Sequence, residues 1–434
     1  MTQPAHLPPL VISNNRLTGE IPSTICNVSY LQILDISNNS LSGKIPQCLG
    51  NVSHSLLVMN LQMNNFQGTI ADTFEKNNLL ETLAFNGNHL EGKLPKSFVN
   101  CTNLKVLDLG NNKINDSFPY WLEALSDLRI LVLKYNRFHG PVGNHKNNAE
   151  VFSKLQILDL SHNEFTGLLP RNYFKKLNAM ITGDEDKDVL QYLGLDYFTV
   201  YSQGFYFYGS YQDSIEVILK GLETALPKIP TIFTIIDLLS NKFQGEIPKV
   251  LGRLRFLRLL NLSHNSLTGH IPSALANLST LESLDLSSKE LTGQIPMQLT
   301  SLTFLAVLNL SQNLLTGPIP QGKQFSTFEN NSYEGNLGLC GFPLSIKCSF
   351  DEPPPPIQPS IFQEDNDSLF ASGFGWKTVL IGYGCGFLFG LAMGYVVFKR
   401  GKPNWLVRFL EGKNNVKKRR PNNQRPRQRR NCCI

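Results

Sequence analysis

The sequence LRLLNLSHNSLTGHIP at residues 257–272 is followed by LESLDLSSKELTGQIP at 281–296 and LAVLNLSQNLLTGPIP at 305–320. Leu257, Leu281 and Leu305 fall 24 residues apart, a period that makes each copy one coil of a solenoid. The shared template is LxxLxLxxNxLxGxIP, and each piece has a physical job. Leu257, Leu260 and Leu262 are expected to point inward from a short strand, and Leu259, Asn261 and Ser263 outward to a concave face. The amide of Asn265 both accepts and donates hydrogen bonds, so its repetition from coil to coil predicts a ladder through the turns. Gly269 permits a bend, Ile271 buries, and Pro272 stiffens the return.

Working outward, the ladder asparagines toward the N-terminus are Asn15, Asn39, Asn64, Asn88, Asn112, Asn136 and Asn163, giving seven coils. Four more follow after a gap, at Asn241, Asn265, Lys289 and Asn313. The fold class is therefore an α/β-type leucine-rich-repeat solenoid with parallel strands on its concave face, in blocks 1–170 and 231–321. Asp116 replaces a template Gly and Ala71 a template Pro, which reads as tolerated surface variation. Lys289 has donors only, so its coil is expected to lose about 1 kcal/mol of hydrogen bonding or to push the ammonium into solvent. MTQPAHLPPL at 1–10 has no basic n-region, no apolar h-region and no polar cap, and repeat sense is already under way at LVISNNRLTGEIP. The chain is expected to lack its natural N-terminal part.

The gap at 171–230 is an island without repeat pattern but rich in aromatic residues. Its end, SIEVILKG at 214–221, alternates like a strand. Tyr197, Tyr201, Tyr206, Tyr208 and Tyr211 are candidates for contact with a protein or peptide ligand, because tyrosine brings large apolar area and a polar tip at low entropy cost. The competing expectation is that these rings pack the island onto the solenoid.

Beyond Pro320 the pattern ends in a segment, 322–350, in which Cys340 and Cys348 close a short loop able to seal the last coil. Residues 351–377 are acidic and Pro-rich, an extended spacer. Residues 378–398, TVLIGYGCGFLFGLAMGYVVF, hold no charge over 21 residues, which as a helix is about 31 Å and matches a bilayer core. Gly382, Gly386, Gly390 and Gly394 recur every four residues and predict a face for a partner helix. The tail, 399–434, carries 13 Lys/Arg against Glu411 alone, which places it in the cytoplasm against anionic lipid. With only 36 residues it is too short for a catalytic domain.

The net charge of +6 thus divides into a mildly acidic body and a basic tail. Ten sequons, at Asn27, Asn38, Asn51, Asn100, Asn115, Asn261, Asn277, Asn309, Asn330 and Asn366, all precede the apolar stretch and favour a secreted body. His162 and His264 read as turn-edge residues rather than bases. Asp184, Asp186 and Asp188 open like a calcium loop, but Val189 and Leu195 stand where it needs Gly and Glu. The column Asp108, Asp159, Asp237 and Asp285 is expected to be the exposed strand position of separate coils, without a nucleophile or closed pocket. Neither a phosphate loop nor a metal constellation is present, so no enzyme activity and no cofactor are expected. Nucleic acid is not an expected partner, because the basic run sits beside the apolar stretch.

The LTGxIP coils, the island ending in YQDSIEVILKG, four further coils, NLGLCGFPL, an acidic spacer, GWKTVLIGYGCGFLFGLAMGY and a short basic tail together resemble the plant leucine-rich-repeat receptor-like proteins, including the Cf-type and Ve-type resistance receptors. That resemblance implies a single-pass type I plasma-membrane receptor with extracellular repeats that perceives an extracellular, often pathogen-derived, ligand. Its signal would pass through an adaptor receptor-like kinase and a co-receptor kinase. It further implies the adaptor at Gly382, Gly386, Gly390 and Gly394, and the co-receptor at Asn261, Ser263, Asp285, Ser287, Asn309 and Ser311. Disulfides Cys340–Cys348 and Cys26–Cys48 are implied in the same way. A developmental peptide receptor and a non-signalling decoy of microbial wall-degrading enzymes are the alternative readings.

Overall fold

A computed structural model describes residues 9–28, 31–51, 55–143, 151–183, 191–202, 205–219 and 222–348. One parallel sheet of 11 strands runs in chain order from Leu10–Val11 to Val307–Asn309. Each strand is the LxL segment of one coil, so seven coils precede the island and four follow it, as the ladder asparagines predict. The island does not disturb the stacking: Ile157 pairs with Ile235 and Leu158 with Ile236 across it. The LxGxIP segments form a second layer of parallel strands, five of them from Thr18–Glu20 to Lys113–Ile114 and seven from His139–Pro141 to Gly338–Cys340. A 3-10 turn follows the template Pro in most coils, such as Ser273–Asn277 after Pro272.

Between these layers the template leucines are fully buried, each worth roughly 1.5–3 kcal/mol. Where Phe replaces Leu in successive coils, Phe138, Phe165 and Phe243 stack at 5.9 and 6.3 Å between ring centroids. The ladder is real: Asn64 Nδ2 donates to the carbonyls of Ile36, Leu61 and Gln62 at 3.0, 3.2 and 3.1 Å, and its Oδ1 accepts from Leu41 N–H at 3.0 Å. The residue before each ladder position turns left-handed, and His162 and His264, both at φ 51°, are turn-edge residues as expected.

Lys289 meets the first of its two expectations, a lost hydrogen bond, and not the second. Its side chain is buried rather than turned to solvent, and Nζ donates to the Leu262 carbonyl in the manner of the asparagine it replaces. Burial pulls its pKa down to about 7, with only Asp285 opposing. An ammonium has no acceptor to offer Leu267 N–H, so the ladder is interrupted on that side.

The ladder also runs one step further than the sequence pattern. Asn336 Oδ1 accepts from Leu315 N–H at 3.0 Å, and its Nδ2 donates to the carbonyls of Leu310 and Tyr333 at 2.9 and 2.8 Å. Strand Gly338–Cys340 pairs with Leu314–Pro318, and buried Phe325, Phe328 and Tyr333 close the end of the core. Disulfides join Cys340 to Cys348 and Cys26 to Cys48, with Cα separations of 5.0 and 5.9 Å. Cys101 is a buried free thiol whose pKa burial raises to about 11.

Among the described residues no helix is long and apolar enough to cross a membrane. The expected span with Gly382, Gly386, Gly390 and Gly394, the spacer, the basic tail and Asn366 all lie outside those residues, as do Asp184, Asp186 and Asp188.

Candidate functional site

The island begins with two short helices, Arg171–Phe174 and Asn178–Ile181, and continues as two antiparallel hairpins. The first pairs Gly194–Ser202 with Phe205–Gln212, and the second pairs Ile215–Leu219 with Leu222–Leu226. The alternation read in SIEVILKG is therefore a strand. Its buried face, Ile215 and Val217, forms one apolar cluster with Val106, Ile130, Val132 and Ile157 of the concave sheet. The island thus folds back over the concave face of the first block. Without a covering layer those outward Ile and Val side chains would stand in water.

Polar pins fix the register of this contact. Tyr211 OH donates to Asp35 Oδ2 at 3.2 Å and accepts from Asn60 Nδ2 at 2.9 Å. Thr82 Oγ1 donates to Asp213 Oδ1 at 2.9 Å, and Gln62 Nε2 donates to Ser214 Oγ at 3.3 Å. Lys134, whose side chain is 0% exposed, donates through Nζ to the Glu216 carbonyl at 3.1 Å and to Glu223 Oε1 at 2.9 Å. Burial works against its charge, but Glu223, Asp159 and Asp108 hold its pKa above the usual value.

This arrangement corrects three expectations. Asp108, Asp159 and Asp237 are not exposed strand positions; each is 1% exposed. Tyr211 is not a free ligand-facing ring but an anchor of the island, packed with Ile33, Val58 and Leu195. Of the co-receptor candidates, Asn261, Ser263 and Ser287 are buried, because Ser263 and Ser287 fold back onto Asn261 and Asp285 of their own strands. Tyr197, Tyr201, Tyr206 and Tyr208 lie in the first hairpin, and their side chains are outside the description.

Asp285, Asn309 and Ser311 are half-buried and line an open groove of about 460 Å³ on the concave face of the last coils. Ile218 of the island bounds the groove on one side and Phe328, Glu329 and Ser332 of the C-terminal cap on the other. Asn309 Nδ2 donates to Asp285 Oδ2 at 3.2 Å across its floor. The lining carries two carboxylates, Asp285 and Glu329, and no Lys, Arg or His, so it suits neutral or cationic groups of a partner chain.

Among the sequons, Asn27, Asn38, Asn51, Asn115, Asn277 and Asn330 are exposed, while Asn100 and Asn309 are half-buried. Asn261 is set aside as a glycan site: it is 7% exposed and its Oδ1 accepts from both the backbone and the hydroxyl of Ser263. Lys134 was missed in the sequence, though a signal exists there. LVLK at 131–134 puts Val and Lys where neighbouring coils have Asp and a small or polar residue, between Asp108 and Asp159.

Residues 86–138 match the Leucine rich repeat family, and 10–28, 30–52, 154–175 and 256–278 match single copies of the repeat. Receptor-like protein 35 of Arabidopsis thaliana is 44% identical over 413 residues, which are 94% of this chain and 41% of that protein. Receptor like protein 27 of the same plant is 48% identical over 413 residues, 94% of this chain and 49% of that one. The chain therefore spans less than half the length of these relatives. Among solved structures, the Arabidopsis receptor kinase HAESA, in complex with the peptide hormone IDA and the co-receptor SERK1, is similar with a TM-score of 0.52 and 27% identity, over 75% of this chain and 49% of that one.

Proposed function

The chain belongs among the plant leucine-rich-repeat receptor-like proteins, and on that footing we propose that it is a cell-surface receptor subunit that binds an extracellular ligand and signals through partner receptor kinases. In this reading the repeats stand outside the plasma membrane, the apolar stretch 378–398 spans it once, and the basic tail holds the inner leaflet. The ligand is pathogen-derived and the response is defence. Phosphotransfer comes from a recruited partner kinase, with Gly382, Gly386, Gly390 and Gly394 facing an adaptor helix.

The observation that supports this reading best is the open groove over the last coils, with Asp285, Asn309 and Ser311 in its floor. The island occupies the concave face of the coils before it and reaches Ile235 and Leu259 just after it, and among the described residues this groove is a stretch of repeat face open for a partner to dock on. HAESA, a protein of the same fold, is complexed with a peptide hormone and a co-receptor.

Two substitutions divide the proposal. Ser311→Tyr fills the groove and is expected to abolish ligand-dependent co-precipitation of a co-receptor kinase while leaving the adaptor bound. Gly386→Leu with Gly390→Leu is expected to do the reverse. Unchanged association in both variants removes the receptor reading. A panel of microbial and endogenous elicitors applied to plants expressing the full-length, signal-bearing form separates defence from development, and binding without any response identifies a decoy.

A further inference from the structure

The second island hairpin rests on an acidic floor, and a single cation ties it there. Asp108, Asp159 and Asp237 occupy one strand position in the fifth, seventh and eighth coils, with Val132 between the first two, and all three are buried beneath the island. From the island side Asp213 is buried against Thr82, and Glu223 reaches Lys134. Among the described residues Lys134 is the one ammonium between them; Glu216 lends its carbonyl, and Lys105 is paired with Glu81 at the edge. Two coils past Asp237, where the hairpin no longer covers the sheet, Asp285 at the equivalent position is half-exposed. Closing the hairpin therefore strips water from four carboxyl groups and supplies one positive charge.

We propose that the hairpin of Ile215–Leu219 and Leu222–Leu226 is a proton-tightened strap: at mildly acidic pH it closes over the concave face of the middle coils, and as pH rises it loosens and uncovers them. The uncovered surface is the apolar stripe of Val106, Ile130, Val132 and Ile157.

The sign follows from the groups that face the hairpin. Burial raises Asp108 and Asp213 from 3.8 to about 6. Burial raises Asp159 as well, and burial together with Asp159 raises Asp237. A carboxyl whose pKa is higher when covered takes up a proton on closing, so closure gains as pH falls through about 6 toward 3.8 and loses as pH rises through that window. His162 works the other way, since burial, His264 and Lys134 lower its pKa, but it is one imidazole against four carboxyls. Lys134 stays charged, and the phenols of Tyr135 and Tyr211, both raised chiefly by burial, stay neutral.

The test is hydrogen exchange on the full-length chain in lipid nanodiscs between pH 7.5 and 5.5, with each amide rate divided by its intrinsic rate at that pH. Protection of the hairpin amides is expected to rise on the order of tenfold toward pH 5.5. Strands Ser283–Asp285 and Val307–Asn309, outside the covered region, serve as controls and are expected to stay constant. The triple variant Asp108→Asn, Asp159→Asn, Asp237→Asn keeps an acceptor oxygen at each site and should hold the hairpin closed at both pH values. Lys134→Met should lower hairpin protection at both. Protection in the natural chain that is flat, or that rises with pH, overturns the proposal, as does a triple variant that keeps the full pH dependence with its control strands intact. If the triple variant loses its control strands, the natural chain's own pH series decides.

Discussion

Asp237 and Asp285 stand at the same place in coils two steps apart, yet the first is 1% exposed and the second lies half-open in the groove. The coil is the same; what differs is the island lying over one and not over the other. The covered coils spend their outward Ile and Val on the hairpin, and the open coils keep Asp285, Asn309 and Ser311 for an outside partner. A solenoid has this freedom because each coil is stabilised by its neighbours, so its concave face need not be covered for the fold to hold.

Six substitutions break or sharpen this contrast. The largest effect is expected from Val217→Asp, which puts a carboxylate into the apolar contact and should cost about 3 kcal/mol of island docking. Chymotrypsin would then cut the Tyr- and Phe-rich island much faster. Val307→Asp, on the half-exposed sheet of the open coils, should stay within about 1 kcal/mol. If both behave alike, the island does not cover what the geometry says it covers.

The next pair compares the two aspartates directly. Asp159→Ala leaves the buried Ser161 N–H and hydroxyl without their acceptor and Lys134 short of a partner, at about 2 kcal/mol. Asp285→Ala removes similar bonds where water can replace them, at about 1 kcal/mol. Urea midpoints of the full chain would show the difference, and equal losses would erase it.

Lys289→Asn restores the ladder acceptor in an open coil and is expected to stabilise by about 1 kcal/mol. The natural lysine has its folded pKa lowered to about 7 from 10.5, so the unfolded chain binds the extra proton between those values. Stability should therefore rise with pH across that window and stop doing so in the variant, as thermal melts would show. The smallest effect is expected from Tyr211→Phe, which removes the bonds to Asp35 and Asn60 but keeps the ring packing, at about 0.5–1 kcal/mol. Hydrogen exchange of the first hairpin would read it.

Much of this molecule was legible in one dimension. The 24-residue period placed every coil from Asn15 to Asn313, and the ladder geometry followed from what an amide can donate and accept. The period was lost at Asn336, whose coil ends in a cap instead of LxGxIP, while at Lys289 it held and the long stem buries as the asparagine does. The candidate site was read less well. Side chains termed outward at Asn261, Ser263 and Ser287 are outward in direction but closed off by their own local hydrogen bonds.

The sequence alone determined the solenoid, because its contacts join equivalent positions in adjacent coils and so reappear as a repeat. It also determined the strand at Ile215–Leu219. Only the tertiary structure decided where the island goes. Its partners, Tyr211 with Asp35 and Glu223 with Lys134, lie 176 and 89 residues apart and occur once each, so no period records them. Whether a strand aspartate meets water or a hairpin is a fact about chain segments brought together in space.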